Sequence, residues 1–258
     1  MRLVNPNITY FPFSIWHYSL VPMCLASILG LIYVDSYYWL FLSIGNWWVL
    51  TLVCQSVGLH RYFTHRSFKL APWKEKILAI LCIFAHTGAP ANFAVSHAYH
   101  HSNADSPVDL HNPSNIGFLN SIIARYPLTE FDFKSRPDLQ TPFYINLDRY
   151  STRIVILVQI ILLLINWKIA VFGLIIPQLL AIVSLLLGIV IMGHTKFLSY
   201  RNFNTPDKSR NSPLVFLIFF GEAWHNNHHA NPGRFSFREK WWEIDPAEYI
   251  VKLIRDDK

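Results

Sequence analysis

Eight of the chain's twelve histidines fall into three short clusters. The first cluster consists of His60 and His65. The second consists of His97, His100 and His101, and the third of His225, His228 and His229. Imidazole nitrogen suits iron, copper and zinc, and a single zinc site needs only about four ligands. So many histidines beside one another therefore indicate two metals, each with several nitrogen ligands.

The spacing within the clusters suggests how they are presented. The second and third clusters share the pattern i, i+3, i+4, which places three side chains on one face of a helix. Two such faces opposite each other would form a metal cage. His60 and His65 are separated by about 140° on a regular helix, so they converge only if the helix frays after His60.

The composition is that of an integral membrane protein. Hydrophobic residues make up 52% of the chain, charged residues 15%, and the mean hydropathy is +0.27. A soluble domain carries about 25% charged residues. No linker, repeat or low-complexity tract divides the chain, so residues 1–258 are predicted to form a single membrane domain.

The long uncharged runs predict the fold class, because a bilayer span needs roughly 20 apolar residues. We expect an all-α integral membrane protein with four transmembrane helices and a cytoplasmic helical cap that carries the histidine clusters. The predicted spans are near Trp16–Val34, Trp39–Leu59, Ile154–Trp167 and Phe172–Gly193.

A fifth uncharged run, Ile77–Val95, is also long enough to span. If it crossed, the first two clusters would lie about 30 Å apart on opposite membrane faces. Pro90, Asn92 and His86 also make it a poor lipid-facing helix. We therefore predict an interfacial or re-entrant helix here.

The basic residues predict the orientation. Of 22 Lys and Arg residues, only Lys168 falls in a loop on the far side. The positive-inside rule makes the side with the clusters and both termini cytoplasmic, in a bacterium the inner side of the inner membrane. The net charge of +6 follows from this bias. No basic helix interleaved with aromatic residues suggests nucleic-acid binding.

For the histidines outside the clusters, the position in the sequence indicates whether a role as metal ligand is expected. His194 ends the last long run at the depth of the clusters and is a further candidate ligand. His86 lies inside an apolar run without a partner at helical spacing, so a ligand role is not expected. His17 lies near the start of the first span, where an interfacial position is expected.

Ligating imidazoles usually donate their second N–H to a carboxylate or a carbonyl group. The candidates nearest in sequence are Asp105, Asp109 and Glu222, and His111 is a further neighbour of the site. Each of these acids could equally be a solvated loop charge.

Other catalytic patterns are not visible. The sequence has no nucleophile elbow, phosphate-binding loop or dinucleotide fingerprint, and no Cys-x-x-Cys pair. It also lacks the Glu-x-x-His helices of bundle-type di-iron proteins. Its metals are therefore expected to be held by nitrogen.

Together these motifs resemble the three histidine boxes of membrane fatty acyl desaturases. Gly58–Phe68, Gly221–Ala230 and Trp241–Asp245 are similar to the acyl-CoA (stearoyl-CoA, delta-9) branch, especially its bacterial members. The resemblance extends from about residue 41 to residue 254. The family's additional ligand at the end of the last span falls on His194.

The resemblance implies two non-haem irons, O2 as co-substrate, and a fatty acyl substrate, with acyl-CoA and a delta-9 double bond favoured. No electron-transfer segment is visible. A separate donor of the ferredoxin or cytochrome type, with its reductase, is therefore expected. Four basic residues could meet a CoA phosphate or a lipid head group, or could be ordinary positive-inside charge: Arg234, Arg238, Lys240 and Lys208.

The chain departs from the family pattern at three places. Val190 stands where the family has an asparagine, one turn before His194. The loop after the second cluster has Leu110, where the family has proline, and the segment Asn231–Phe237 is atypical. These departures bear on regiochemistry and head-group preference more than on the fold.

Two other functions remain open from the residues. A membrane hydroxylase with the same ligation would differ only in the fate of the substrate radical. A metal-binding or transport protein is an alternative of another class. Transporters bind near the bilayer midplane, whereas these clusters lie outside the spans.

Overall fold

The computed structural model describes residue 10, residues 12–127 and residues 133–256, with the backbone only for residues 189–192. The described part is helical, and its only β pairing consists of isolated bridges. The longer helices are Ile15–Ile32, Tyr37–Val49, Leu50–Thr64, Pro72–Ile83, Pro90–Asn103, Pro142–Ile165, Ile176–Val183 and Pro246–Ile254. The shorter helical segments are Pro113–Ile116, Phe118–Ile122, Phe133–Ser135, Pro137–Leu139, Trp167–Ala170, Val171–Ile175, Ser184–Ile191, Met192–His194, Pro213–Phe219, Phe220–Ala223 and His225–Ala230.

Three continuous helical stretches in the described residues are long and apolar enough to cross a membrane. The first, second and third spans are Ile15–Ile32, Tyr37–Thr64 and Trp167–Gly188. They coincide with three of the four predicted spans. The predicted span Ile154–Trp167 falls in the Pro142–Ile165 helix, whose earlier half carries charged residues. A count of four spans therefore stays a prediction.

Polar side chains connect the spans inside an apolar setting. Ser43 and Asn46 of the second span donate to the backbone carbonyls of Phe172 and Gly173 at 2.8 and 2.7 Å. Small and polar residues at such contacts are typical of helix packing in membranes. The outer face of the first span is apolar and exposed, as lipid contact requires; Val21 is 63% exposed.

The turns at one end of the spans are tied together. Lys168, just inside the third span, forms an ion pair with Asp35, which lies between the first and second spans. The side chain of Asn166 caps the same turn by accepting from the N–H of Lys168 at 3.0 Å. The end of the second span, with the first histidine cluster, lies about 40 Å away along the helix.

The uncharged run Ile77–Val95 is divided between two helices. Pro72–Ile83 ends before a break that contains His86 with φ 56° and Gly88 with φ 123°. Pro90 then starts the helix that carries the second cluster. Neither piece contains the roughly 20 apolar residues of a span. The position of this break at the membrane surface stays a prediction.

Candidate metal centre

Nine histidines sort into two groups, and within each group the ligand-capable nitrogen atoms lie within 4.8 Å of one another. The five-histidine group consists of His60, His65, His97, His101 and His228. The four-histidine group consists of His100, His194, His225 and His229. Neither group, as described, includes a carboxylate or a thiolate among its candidate ligands. The structure thus brings all three clusters and His194 together.

The second and third clusters, with three histidines each, are both divided between the two groups. This differs from the single cage that the spacing predicted. His97 and His101 belong to the five-histidine group, whereas His100 belongs to the four-histidine group. On a helix, residue i+4 lies about 40° from residue i, whereas i+3 lies about 60° away on the other side. The third cluster divides in the same way, because His225 and His229 separate from His228.

The first cluster converges through an unusual helix. Leu50–Thr64 is π-helical, with backbone hydrogen bonds between residues five apart. The N–H of His65 donates to the carbonyl of His60 at 3.2 Å, and the two ring centroids are 5.0 Å apart. The predicted angle of about 140° between His60 and His65 assumed regular α-helical turns, and it is wrong for this wider π-helix. The helix also continues to Thr64 and does not fray at His60.

The inward-facing nitrogens fit a metal. Nε2 of His228 lies 2.9 Å from Nε2 of His60 and 3.0 Å from Nε2 of His101. Nε2 of His65 and Nε2 of His229 are buried, and neither has a hydrogen-bond partner among the described residues. Such orphaned imidazole nitrogens are compatible with coordination to iron or another transition metal.

The outward-facing nitrogens of four histidines meet carboxylates. The Nδ1–carboxylate pairs are His60–Glu222 at 2.6 Å, His100–Asp109 at 2.8 Å, His194–Asp105 at 2.9 Å and His229–Asp207 at 3.0 Å. A carboxylate on Nδ1 fixes the ring orientation and leaves Nε2 for a metal. Proximity in sequence singled out three of these acids. It missed Asp207, which lies 22 residues before His229 and is joined to it only by the fold.

The electrostatics keep the imidazoles in their metal-binding form. Burial lowers the pKa of His97, His101 and His228 well below the ordinary value, and neighbouring histidines lower it further. Burial also lowers the pKa of His229 to about 4, although the hydrogen bond that His229 donates to Asp207 raises it. Neutral imidazole is the form that binds metals, so these rings are ready for coordination at neutral pH.

A buried ion network links the site to the C-terminal segment. Arg61 is fully buried, and its Nη1 donates to Glu222 Oε1 at 2.8 Å, while Nη2 donates to Asp245 Oδ2 at 2.9 Å. Its guanidinium also lies 3.8 Å from the centroid of the Phe237 ring. Arg61 was not among the predicted site residues, although it follows His60 directly. A planar guanidinium can meet two carboxylates at once, so it fixes Glu222 against His60.

The remaining histidines lie outside both groups. The ring of His111 lies 4.9 Å from that of His100, and its backbone N–H donates to Asp109 Oδ1 at 2.9 Å. Nε2 of His86 lies 3.0 Å from the hydroxyl of Ser19 in the first span. His17 lies at the start of that span. The side chain of Val190 lies outside the described residues.

Three of the four head-group candidates have side-chain contacts within the protein, and the fourth, Lys208, contacts it through its backbone. Arg234 pairs with Glu239, and Arg238 Nε lies 3.7 Å from Glu248 Oε2. The amine of Lys240 lies 4.9 Å from the ring centroid of Tyr200, and Lys208 donates its backbone N–H to Asp105 Oδ2 at 2.6 Å. Lys208 is exposed and lies beside the four-histidine group, because Asp105 also contacts His194.

A small cavity lies directly against the five-histidine group. Its walls include His60 and His97, together with the apolar side chains of Phe93, Leu185 and Phe219. An apolar surface beside a metal site excludes water. The described fold and site are those of a helical protein with three helices able to cross a membrane and two histidine groups that could hold metals beside a small cavity.

The chain belongs to the fatty acid desaturase family, whose family model matches residues 37–252. Among similar proteins is an sn-2 palmitoyl-lipid 9-desaturase from Nostoc sp. (strain 36), 32% identical over 84% of this chain and 75% of the relative. An sn-1 stearoyl-lipid 9-desaturase from Anabaena variabilis is 30% identical over 81% and 78%. An acyl-CoA C20 Delta5-desaturase from Anemone leveillei is 30% identical over 77% and 65%. The predicted family is thereby confirmed.

Proposed function

We propose that this protein is an O2-dependent desaturase that introduces a double bond into a saturated fatty acyl chain, using two non-haem irons held by the nine histidines. The observation that carries the proposal is the pair of histidine groups, with orphaned Nε2 atoms, beside an apolar cavity. The family and the names of the two lipid 9-desaturases support it. They also favour the delta-9 position.

The overall reaction removes one hydrogen atom from each of two neighbouring methylenes. O2 takes up these two hydrogens, two electrons and two protons, and leaves as two molecules of water. When bound, the irons supply the activation of O2 that this chemistry needs. The protein contributes binding, orientation and electrostatics.

The residues around the cavity have positioning roles. Phe93, Leu185 and Phe219 would hold the methylenes against the His60 and His97 side of the five-histidine group. Because a hydrocarbon offers no hydrogen bonds, its position must be fixed by the shape of this wall. The distance along the chain from the carrier to this point then sets the double-bond position.

The carboxylates support the proposed ligands. Each of Glu222, Asp109, Asp105 and Asp207 accepts from an Nδ1 atom and orients the ring behind it. Hydrogen bonding from His100 lowers the pKa of Asp109 to about 2, although burial acts in the opposite direction. These ionised groups increase the basicity of the imidazoles and offset part of the charge of two iron ions.

We place the clusters and both termini on the cytoplasmic side of a membrane crossed four times. The pairing of Lys168 with Asp35 supports this arrangement, because it joins the turn before the third span to the turn before the second. The charge-free end of the Pro142–Ile165 helix would then be the additional crossing, next to that turn. Reducing equivalents would come from a separate ferredoxin or cytochrome with its reductase.

The test is expression in a bacterial host, followed by gas chromatography and mass spectrometry of its fatty acids. The expected product is a monounsaturated chain that is absent from cells with the empty vector. A His228→Ala variant, produced at the same level, should yield none, because His228 lies close to both His60 and His101. Hydroxylated chains in place of unsaturated ones would instead identify the enzyme as a hydroxylase.

A further inference from the structure

A cavity of about 390 Å³ lies at the histidine end of the spans. It lies between the start of the first span, the break before the second cluster, the start of the Pro142–Ile165 helix and the end of the third span. These elements leave or enter the apolar layer at this level. In a bilayer this is the depth of the lipid head groups and their ester bonds.

The cavity shares part of its wall with the small cavity at the proposed reaction site. Leu185 lines both this cavity and the small cavity beside His60 and His97. Asn92 lines the larger cavity, and its neighbour Phe93 lines the smaller one. A chain whose head lies in the larger cavity can therefore extend past Leu185 towards the five-histidine group.

The polar lining of the larger cavity is rich in neutral hydrogen-bonding groups. These groups are the hydroxyls of Ser14, Thr87, Tyr126, Ser151 and Thr152, the amide of Asn92 and the imidazole of His86. Burial lowers the pKa of His86 to about 4, so this ring is uncharged at neutral pH. Such a lining suits a ligand with hydroxyl and ester groups.

The charged lining consists of one carboxylate. Asp148 lines the cavity, and no lysine or arginine is present among the lining residues that the structure describes. Its Oδ1 accepts from the backbone N–H of Asn92 at 3.3 Å, at the start of the helix that carries the second cluster. Burial raises the pKa of Asp148 to about 6, which leaves the group mostly ionised at neutral pH.

Two arginines next to lining residues in the sequence have contacts with other residues. The guanidinium of Arg125 lies 4.7 Å from the ring centroid of Phe13, and Arg153 donates to the carbonyl of Arg149 at 2.9 Å. Two of the four basic residues that the sequence suggested for a CoA phosphate, Arg234 and Arg238, are paired with acids, and none of the four lines this cavity. A carrier with several phosphate charges would therefore meet a carboxylate here, with no lysine or arginine among the described lining residues.

We propose that the cavity binds the uncharged head and ester region of a membrane glycerolipid, and that Asp148 is a specificity-determining residue that excludes carriers with phosphate charges. This inference rests on the proposed function and names its substrate class, an acyl chain esterified in a lipid. It replaces the acyl-CoA substrate that the sequence motifs favoured. Like charges placed against each other discriminate strongly between ligands, since the unfavourable contact is present for only one of them.

Photo-crosslinking tests the carrier without requiring turnover. Three probes share one stearoyl chain with a diazirine: a diacylglycerol with a sugar head, a phosphatidylglycerol and a CoA thioester. Membranes containing the protein are illuminated, and labelled peptides within residues 83–92 and 182–186 are quantified by mass spectrometry. We expect the sugar lipid to label at least about tenfold more than the CoA thioester at equal concentration, a ratio that corresponds to ~1.4 kcal/mol.

Two variants of lining residues test whether the charge of Asp148 causes this preference. Asp148→Asn removes the charge, and Thr152→Lys adds a cation to the lining without touching the cap on Asn92. Both should raise CoA labelling several-fold relative to the sugar lipid. Asp138→Asn is the matched control, because Asp138 pairs with Arg66 and Arg136 outside this cavity and its loss should leave the ratio unchanged.

The outcomes separate this inference from the proposed function. Equal labelling of the wild-type cavity by the sugar lipid and by either phosphate-bearing probe would overturn the inference, as would a ratio that neither cavity variant changes. If Asp148→Asn does not fold, the labelling ratio of Thr152→Lys tests the inference on its own. By contrast, a host that gains no unsaturated chain contradicts the proposed function, whatever the labelling shows.

Discussion

At the residue scale, the different contacts of the two nitrogen atoms of each imidazole explain the site. One nitrogen faces other histidines, and in four cases the other nitrogen meets a carboxylate. A residue matters here through both contacts. His194 illustrates this, because its Nδ1 lies 2.9 Å from Asp105 and its Nε2 lies 3.1 Å from His225.

The first prediction compares His194 with His86. His194→Ala should lower the iron content towards one per chain and abolish product formation, because the four-histidine group loses a ligand. His86→Ala should keep both irons, because its Nε2 faces Ser19 and it belongs to neither group. Iron per chain is measured by plasma mass spectrometry on both purified variants. Full iron in the first and depleted iron in the second would reverse the assignment.

The second prediction concerns Arg61. Arg61→Met leaves Glu222 and Asp245 buried without their cation, a change that typically costs about 3–5 kcal/mol. We expect a large loss of thermal stability and of bound iron, because Glu222 no longer holds His60. Arg66→Met is the control, because Arg66 is partly exposed and its loss should cost less than about 1 kcal/mol. Equal melting temperatures for the two variants would refute the role of Arg61.

At the element scale, regular helical geometry predicted some features and missed others. The two i, i+3, i+4 patterns correctly placed their histidines on helices, Pro90–Asn103 and His225–Ala230, because sequence spacing determines direction on a regular helix. The convergence of His60 and His65 was missed, because a π-helix cannot be recognised from the hydrophobic pattern. The partners Asp207 and Asp245 were missed, because they depend on contacts between distant segments.

The third prediction concerns the turn before the third cluster. A Cβ on Gly221 would lie 2.0 Å from Asp245 Oδ1, so Gly221→Ala must displace the carboxylate that holds Arg61. Overpacking of this kind costs about 1–3 kcal/mol, and we expect a lower melting temperature and less bound iron. Gly45→Ala is the matched control, because no atom lies within 4 Å of its added Cβ. Similar losses in both variants would contradict this explanation.

At the scale of the whole molecule, the site requires distant parts of the chain to meet. Composition predicted the membrane class, and charge bias predicted the orientation. The sequence predicted that the first and second clusters share a metal centre. The structure places His60, His65, His97 and His101 in one group. The number of crossings is harder to predict, because Asp148, Arg149 and Arg153 lie in the same helix as the predicted span Ile154–Trp167.

The fourth prediction tests this topology by cysteine labelling in sealed vesicles. Single cysteines at Trp73 and Val108, both exposed, should label from the same side, the cytoplasmic one. A cysteine at Tyr37, beside the opposite turn, should label from the other side. The exposed native Cys24 is first replaced by serine. Labelling of positions 73 and 108 from opposite sides would refute a common membrane face for the first two clusters.

The central claim is that nine histidines in two groups hold two iron ions. The most direct measurement is the metal content of the wild-type protein, purified from iron-supplied cells without chelators and quantified against protein by amino-acid analysis. The account predicts two irons per chain, with both lost when the five-histidine and four-histidine groups are disrupted together by His228→Ala and His225→Ala. A single iron per chain, or full occupancy by zinc with no iron, would contradict it.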